Sequence, residues 1–119
     1  MFLQPYFKQQ RRGFVYLNEL DAKVKDLAEC ALPQDKNIKA VKISVVAGSN
    51  WKDRRFEEAL RDRLVGFLNG RTVRVSSNAT CSLDLYYDWV EDDYVKLSLR
   101  LNCSNTEPKT CKRFVRVRR

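Results

Sequence analysis

An α+β domain, with two helices packed on one mixed sheet, is the architecture expected of this 119-residue chain. Three features carry that expectation. Two segments place apolar residues at helical spacing, a run of β-branched residues between them alternates at period two, and residues 80 to 119 form three alternating runs separated by polar turns. The order is an N-terminal helix, then strand–helix–strand, then a three-stranded antiparallel meander. With 44% hydrophobic residues the chain can bury one core. Residues 16–119 are therefore read as a single α+β domain, preceded by a basic N-terminal segment at 1–15.

The first helix is expected from about Glu19 to Leu32. Leu20, Val24, Leu27, Ala28 and Ala31 fall on one face, Asn18 is placed to cap the start with Asp21 three residues on, and Pro33 stops it. Cys30 lies at the edge of that apolar stripe. "IKAVKISVVAG" follows as a strand, with Val41, Ile43 and Val45 on one face and Lys42 and Ser44 on the other. The second helix is written in "NWKDRRFEEALRDRLVGFLNGR". Phe56, Ala59, Leu60, Leu64, Phe67 and Leu68 line one side, Arg54 with Glu58 and Glu57 with Arg61 stand four apart on the solvated side, and Asn69 and Gly70 supply a left-handed terminus. "RTVRV" is a short strand, so strand, helix and strand form a crossover unit.

"TCSLDLYYDWVEDDYVKLSLRLNC" carries a cysteine at each end of a hairpin. Cys81, Leu83, Leu85, Tyr87 and Trp89 share one face, as do Val95, Leu97, Leu99, Leu101 and Cys103, with Glu91, Asp92 and Asp93 as the turn. If Val90 opposes Tyr94, Leu85 meets Leu99 and Cys81 meets Cys103. A one-residue slip would set apolar against polar along the whole hairpin, so the pattern holds this register or one shifted by two. In the last strand, "CKRFVRVRR", Cys111, Val115 and Val117 share a side; if Ser104 opposes Thr110, Leu99 meets Val115 and Cys103 meets Cys111. Three cysteines then gather on the inner face. The favoured pairing is Cys103 with Cys111 and Cys30 with Cys81, ahead of Cys81 with Cys103 and of four reduced thiols.

The net charge of +8 sits at the two ends. Lys8, Arg11 and Arg12 occupy residues 1–13, and Lys112, Arg113, Arg116, Arg118 and Arg119 occupy residues 110–119, in both cases without an acid. Such ends keep a protein soluble or contact phosphate, anionic lipid or an acidic polymer. No apolar run reaches the roughly 18 residues of a membrane span, and "MFLQPYF" is too short for a signal-peptide core. The chain is expected to be soluble, with any export leader lying upstream of Met1.

Little in the sequence suits catalysis. There is no histidine to act as a base near neutral pH, no serine in a nucleophile elbow and no Gly-rich phosphate loop, so the chain is read as a non-enzyme. Without histidine or a Cys-x-x-Cys pair, no metal and no cofactor is expected. "VVAGSNW" leads into helix amides that can hold an anion, and "EDD" is read as an acidic turn. The candidate binding residues lie on the outer face of the meander: Tyr86, Tyr94, Lys96, Arg100, Lys112, Phe114, Arg116 and Arg118. Aromatics beside cations on an open sheet can hold single-stranded nucleic acid. The competing account is a solvated face laced by ion pairs, Asp84 with Arg100 and Asp88 with Lys96, with arginines on the last strand discouraging sheet-to-sheet pairing.

From Lys39 to Cys103 the chain resembles a bacterial envelope domain family. That family includes the amino-terminal domain of the Tol-Pal translocation protein and related domains of curli-secretion lipoproteins, flagellar-assembly envelope proteins and outer-membrane activators of peptidoglycan synthases. The matching phrases are "VKISVVAGS", "FEEALRDRLVGFLNGRTVRV" and "CSLDLYYDWVEDDYVKLSLRLNC". The resemblance implies a non-enzymatic α+β domain that binds protein partners in the periplasm. It assigns no role to an individual residue, and the basic last strand lies outside it.

Two functional readings follow. The first is a non-catalytic extracytoplasmic, periplasmic-type interaction domain that binds a protein or an anionic envelope partner through the outer sheet face and basic ends. The alternative is a small basic nucleic-acid-binding protein in which Tyr86, Tyr94 and Phe114 stack bases and Lys96, Arg100, Arg116 and Arg118 contact phosphate. Asn78-Ala79-Thr80 and Asn102-Cys103-Ser104 also fit the N-glycosylation acceptor pattern, which keeps a secreted eukaryotic origin open.

Overall fold

One face of a six-stranded mixed sheet carries both helices in a computed structural model, which describes residues 14–15, 17–33, 37–48, 52–90, 94–104 and 106–118. Chain order is β1 (Phe14–Val15), α1 (Leu17–Ala31), β2 (Ala40–Ala47), α2 (Arg54–Gly70), β3 (Arg74–Val75), β4 (Cys81–Val90), β5 (Tyr94–Cys103) and β6 (Lys109–Arg118). In space the strands run β1-β6-β5-β4-β2-β3. β2 is parallel to both β3 and β4, while the meander and β1 are antiparallel. The expected crossover is therefore present, with β2 between the two strands that follow it.

The helices bury the residues their periodicity marked. α1 buries Leu20, Val24, Leu27, Ala28 and Ala31, and α2 buries Phe56, Leu60, Leu64 and Leu68, against Leu83, Leu85, Tyr87, Val95, Leu97, Leu99 and Val115 of the sheet. α1 begins at Leu17, so Asn18 lies inside its first turn and is not the cap. The start is set by β1, whose pairing with β6 ends at Val15. α1 closes as expected ahead of Pro33, with the Leu32 N–H donating to the Ala28 carbonyl at 2.8 Å.

α2 is capped by a residue the periodicity does not mark. Asp53, in extended conformation, accepts from the Phe56 N–H at 3.1 Å and satisfies one of the free amides of the first turn. The "VVAGSNW" lead, from Ser49 to Trp51, lies outside the described residues, as does the "EDD" turn. At the other end the left-handed residue is Thr72, with φ of 57°, and not Asn69 or Gly70. The helix runs through Gly70, and the Val73 N–H then returns to the Leu68 carbonyl at 2.9 Å. This reversal drops Val73 into the core and starts β3.

A buried tyrosine ties α2 to the sheet. The Tyr87 hydroxyl accepts from the Asp53 N–H and donates to Glu57 Oε2, each at 2.7 Å. Its ring meets Phe56 edge-on at 5.3 Å, and Phe56 in turn lies 5.4 Å from Trp89. The polar tip of an otherwise apolar side chain thus covers the helix N-terminus. Glu57 engages Lys52 at 3.9 Å as well as Tyr87, which takes it away from the expected partner Arg61.

The hairpin register matches the expectation at every rung: Val90 faces Tyr94, Leu85 faces Leu99 and Cys81 faces Cys103. The β5–β6 register does not. Leu99 faces Cys111 and Tyr94 faces Arg116, four residues from the expected alignment, and the last pair is Leu101 with Lys109. A shift of four keeps every side chain on its face, so alternation cannot detect it. Four residue positions, roughly 13 Å of strand, now separate the rung of Cys111 from Cys103. The favoured pairing of Cys103 with Cys111 and Cys30 with Cys81 is therefore wrong. Cys81 bonds Cys103 directly across the hairpin with Cα atoms 4.1 Å apart, and Cys30 of α1 bonds Cys111 of β6 at 6.3 Å. The same shift carries Val117 and Arg118 past the start of β5, where they pair with Val15 and Phe14.

The two bridges close loops of unequal length, with sequence separations of 81 and 22. Chain entropy assigns about 4.5 kcal/mol to the longer and about 3.4 kcal/mol to the shorter. Denaturant titration should thus find the Cys30→Ala/Cys111→Ala protein less stable than the Cys81→Ala/Cys103→Ala protein by about 1 kcal/mol. Proteolytic mapping without reduction should recover a peptide linking residue 30 to residue 111.

Burial, followed by the hydrogen bond to Glu57, raises the Tyr87 pKa well above its usual 10.0. The unfolded chain then loses this proton first, so the contribution of Tyr87 is whole below about pH 10 and falls as pH rises beyond it. Tyr87→Phe should cost about 1–2 kcal/mol at pH 7 by leaving the Asp53 amide without its partner. The gap between the two proteins should narrow above about pH 10 in urea titrations.

Candidate interaction face

Alternation sends the apolar residues of every long strand under the helices, which leaves the other side of the sheet uncovered. The side chains on that open side are the even-numbered ones of β4, β5 and β6. Because the β5–β6 shift is even, each predicted outer-face residue stays on the outer face, while its neighbours change. Tyr86 lies between Val46 of β2 and Ser98 of β5, which faces Lys112. Lys96 lies between Asp88 and Phe114, Tyr94 faces Arg116, and Arg100 faces Thr110.

The structure brings Tyr94 and Phe114 together on the diagonal. Their rings meet edge to face at 6.5 Å. Phe114 is 50% exposed, Tyr94 40% and Tyr86 36%, and Val46, which sequence reasoning did not select, adds a fourth large apolar group at 42%. Large apolar side chains standing in solvent on one face mark a surface that gains by being covered. Val46 was missed because the outer side of β2 was read only as far as Lys42 and Ser44. Around these groups Arg100, Lys112 and Arg116 are exposed and Lys96 is half-buried. Arg118 pairs through its backbone with Phe14 of β1.

The expected ion-pair lacing does not form. Asp84 faces Arg100 and Asp88 faces Lys96 in register, yet among the described residues the ion pairs are Lys52 with Glu57 and Arg63 with Asp21. Asp84 instead accepts from the Ser44 hydroxyl on β2 at 2.7 Å. A short hydroxyl beside a carboxylate needs no long side chain to be ordered, whereas an exposed arginine keeps its water and its rotamer freedom. The cations of the face are left free for a ligand.

A second concave region lies between the helices. It encloses about 420 Å³ and is lined by Val24, Lys25, Arg63, Phe67, Gly70 and Arg71, among others. Three of its polar groups, Asp21, Arg63 and Arg71, already serve the fold. Arg63 reaches Asp21 across the helix pair, and Arg71 stacks 4.9 Å from the centre of the Phe67 ring while donating to the Leu32 carbonyl at 2.6 Å. Among the described residues no group of three or more carboxylates, cysteines or histidines is arranged to hold a metal ion, and no helix is long and apolar enough to cross a membrane.

No protein family and no curated protein matches the sequence. Among solved structures, the fold is similar to that of the LpoB C-terminal domain from Salmonella enterica, with a TM-score of 0.51 at 13% identity, over 82% of this chain and 96% of that one. At this identity the likeness is one of fold. The α+β architecture expected from the sequence is thus shared with that domain.

Proposed function

We propose that this chain is a non-catalytic extracytoplasmic domain, of the periplasmic type, that binds a protein partner through the outer face of its sheet. One observation carries the reading: Tyr86, Tyr94, Phe114 and Val46 stand exposed together, on the face opposite both helices, with unpaired cations around them. Aromatic side chains ringed by arginine are the composition of energetic centres in protein interfaces. Two disulfides support an oxidising compartment. The fold likeness to an envelope domain adds weight to that setting. Tyr87, whose pKa burial raises, has its hydroxyl engaged by Asp53 and Glu57 at the end of α2 and serves the fold there.

The test places a photo-reactive phenylalanine analogue at position 94, and separately at position 62 on the exposed side of α2, in the chain expressed in its own cells. Irradiation should give one discrete protein adduct from position 94, abolished by Phe114→Ala and resistant to nuclease, and none from position 62. An adduct removed by nuclease would replace the protein reading with the nucleic-acid one. Equal labelling from both positions, or none from position 94, would remove the face as a binding surface.

A further inference from the structure

β6 has an open edge. It pairs with β5 from Lys109 to Arg116 on one side, but β1 covers only Val117 and Arg118 on the other. Downstream of Val15 the chain enters α1 at Leu17. Among the described residues no backbone group bonds to the outer edge between Lys109 and Arg116.

Which groups line that edge follows from one hydrogen bond. The Gly48 N–H donates to the Tyr87 carbonyl at 2.6 Å, so odd-numbered residues of β4 turn their backbone groups toward β2. The one-to-one registers of β4–β5 and β5–β6 pass this alternation across the sheet without a bulge. In β6 the odd-numbered residues therefore face β5. The N–H and C=O of Thr110, Lys112, Phe114 and Arg116 face outward.

We infer that this edge accepts an extended, acidic segment of a partner protein as an added antiparallel or parallel strand. The inference rests on the protein-binding reading above and gives the partner its chemistry. A row of alternating donors and acceptors is satisfied along its length only by another polypeptide backbone; a polyphosphate or acidic sugar has no N–H ladder to return. Charge selects among polypeptides. β6 carries Lys109, Lys112, Arg113, Arg116 and Arg118 and no acid, so a second copy of β6 would meet its own positive charge, whereas an acidic strand would be drawn in. Phe114 stands exposed on the edge strand itself and offers the added strand an apolar contact.

The experiment uses a labelled, end-capped peptide of alternating glutamate and valine, roughly ten residues long to match a typical strand, titrated by fluorescence anisotropy. Binding is expected for this peptide. It should fall by at least about tenfold when alternate amides are N-methylated, or when lysine replaces glutamate. Lys112→Pro removes an outward N–H without touching the β5 ladder, so the protein should fold and lose binding by a similar factor. Should that variant not fold, the Lys112→Glu/Arg116→Glu protein should instead prefer the lysine peptide. No binding of the acidic peptide, equal binding of the N-methylated one, or an unaffected Lys112→Pro protein would each overturn the proposal. A position-94 adduct that survives Lys112→Pro would do so while leaving the face reading intact, whereas loss of every adduct in the unaltered chain removes both.

Discussion

Two-residue periodicity in the meander is the constraint from which the rest of this molecule follows. In β4, β5 and β6 the odd-numbered side chains are apolar or cysteine at nearly every position, so burying them commits one whole side of the sheet to the helices. The same commitment turns every even-numbered side chain to solvent. Both helices are needed to roof that single apolar side: α1 lies over β5 and β6, and α2 over β2 and β3. With both helices spent there, nothing in the described chain is left to cover Tyr86, Tyr94 and Phe114. Exposure of the aromatic face is thus a consequence of how the core is closed.

The disulfides reinforce this plan at two different levels. Cys81 with Cys103 joins neighbouring strands that the hairpin already holds in register, and so adds to a contact that is locally encoded. Cys30 with Cys111 joins the first helix to a strand near the far end of the chain, and fixes which rung of β6 lies beneath α1. Tyr87 does for α2 what the second bridge does for α1. Its hydroxyl holds both the backbone of the capping residue and the Glu57 carboxylate, which anchors the helix N-terminus on β4.

How far the sequence disclosed this arrangement depended on the range of the interaction concerned. The hairpin register was legible to within a shift of two because a one-residue slip would have exposed Leu83, Leu85, Leu97 and Leu99 together, and the assumed three-residue turn chose the rung that is observed. The faces of both helices were legible for the same kind of reason. The β5–β6 register was hidden, since alternation fixes parity and leaves shifts of two or four undecided; the deciding contact, Cys30 with Cys111, spans most of the chain. The candidate face survived that error because its membership depends on parity alone. Its true neighbours did not: Lys96 beside Phe114 and the freedom of Arg100 depend on the observed rung and on Ser44 taking up Asp84. The capping Asp53 had a local signal, an N-cap residue type directly before the helical run, but its tyrosine partner is 34 residues away.

Parity across β6 is the claim on which both the open face and the open edge stand, and amide hydrogen exchange of the free protein reads it residue by residue. The amides of Cys111, Arg113 and Val115 point to β5 and should exchange slowly, while those of Lys112, Phe114 and Arg116 point to solvent and should exchange within minutes or faster. Uniform protection along the strand would mean that another segment already occupies the edge. The reverse alternation would mean that the strand is turned over, with the aromatic face buried and the account of this molecule wrong.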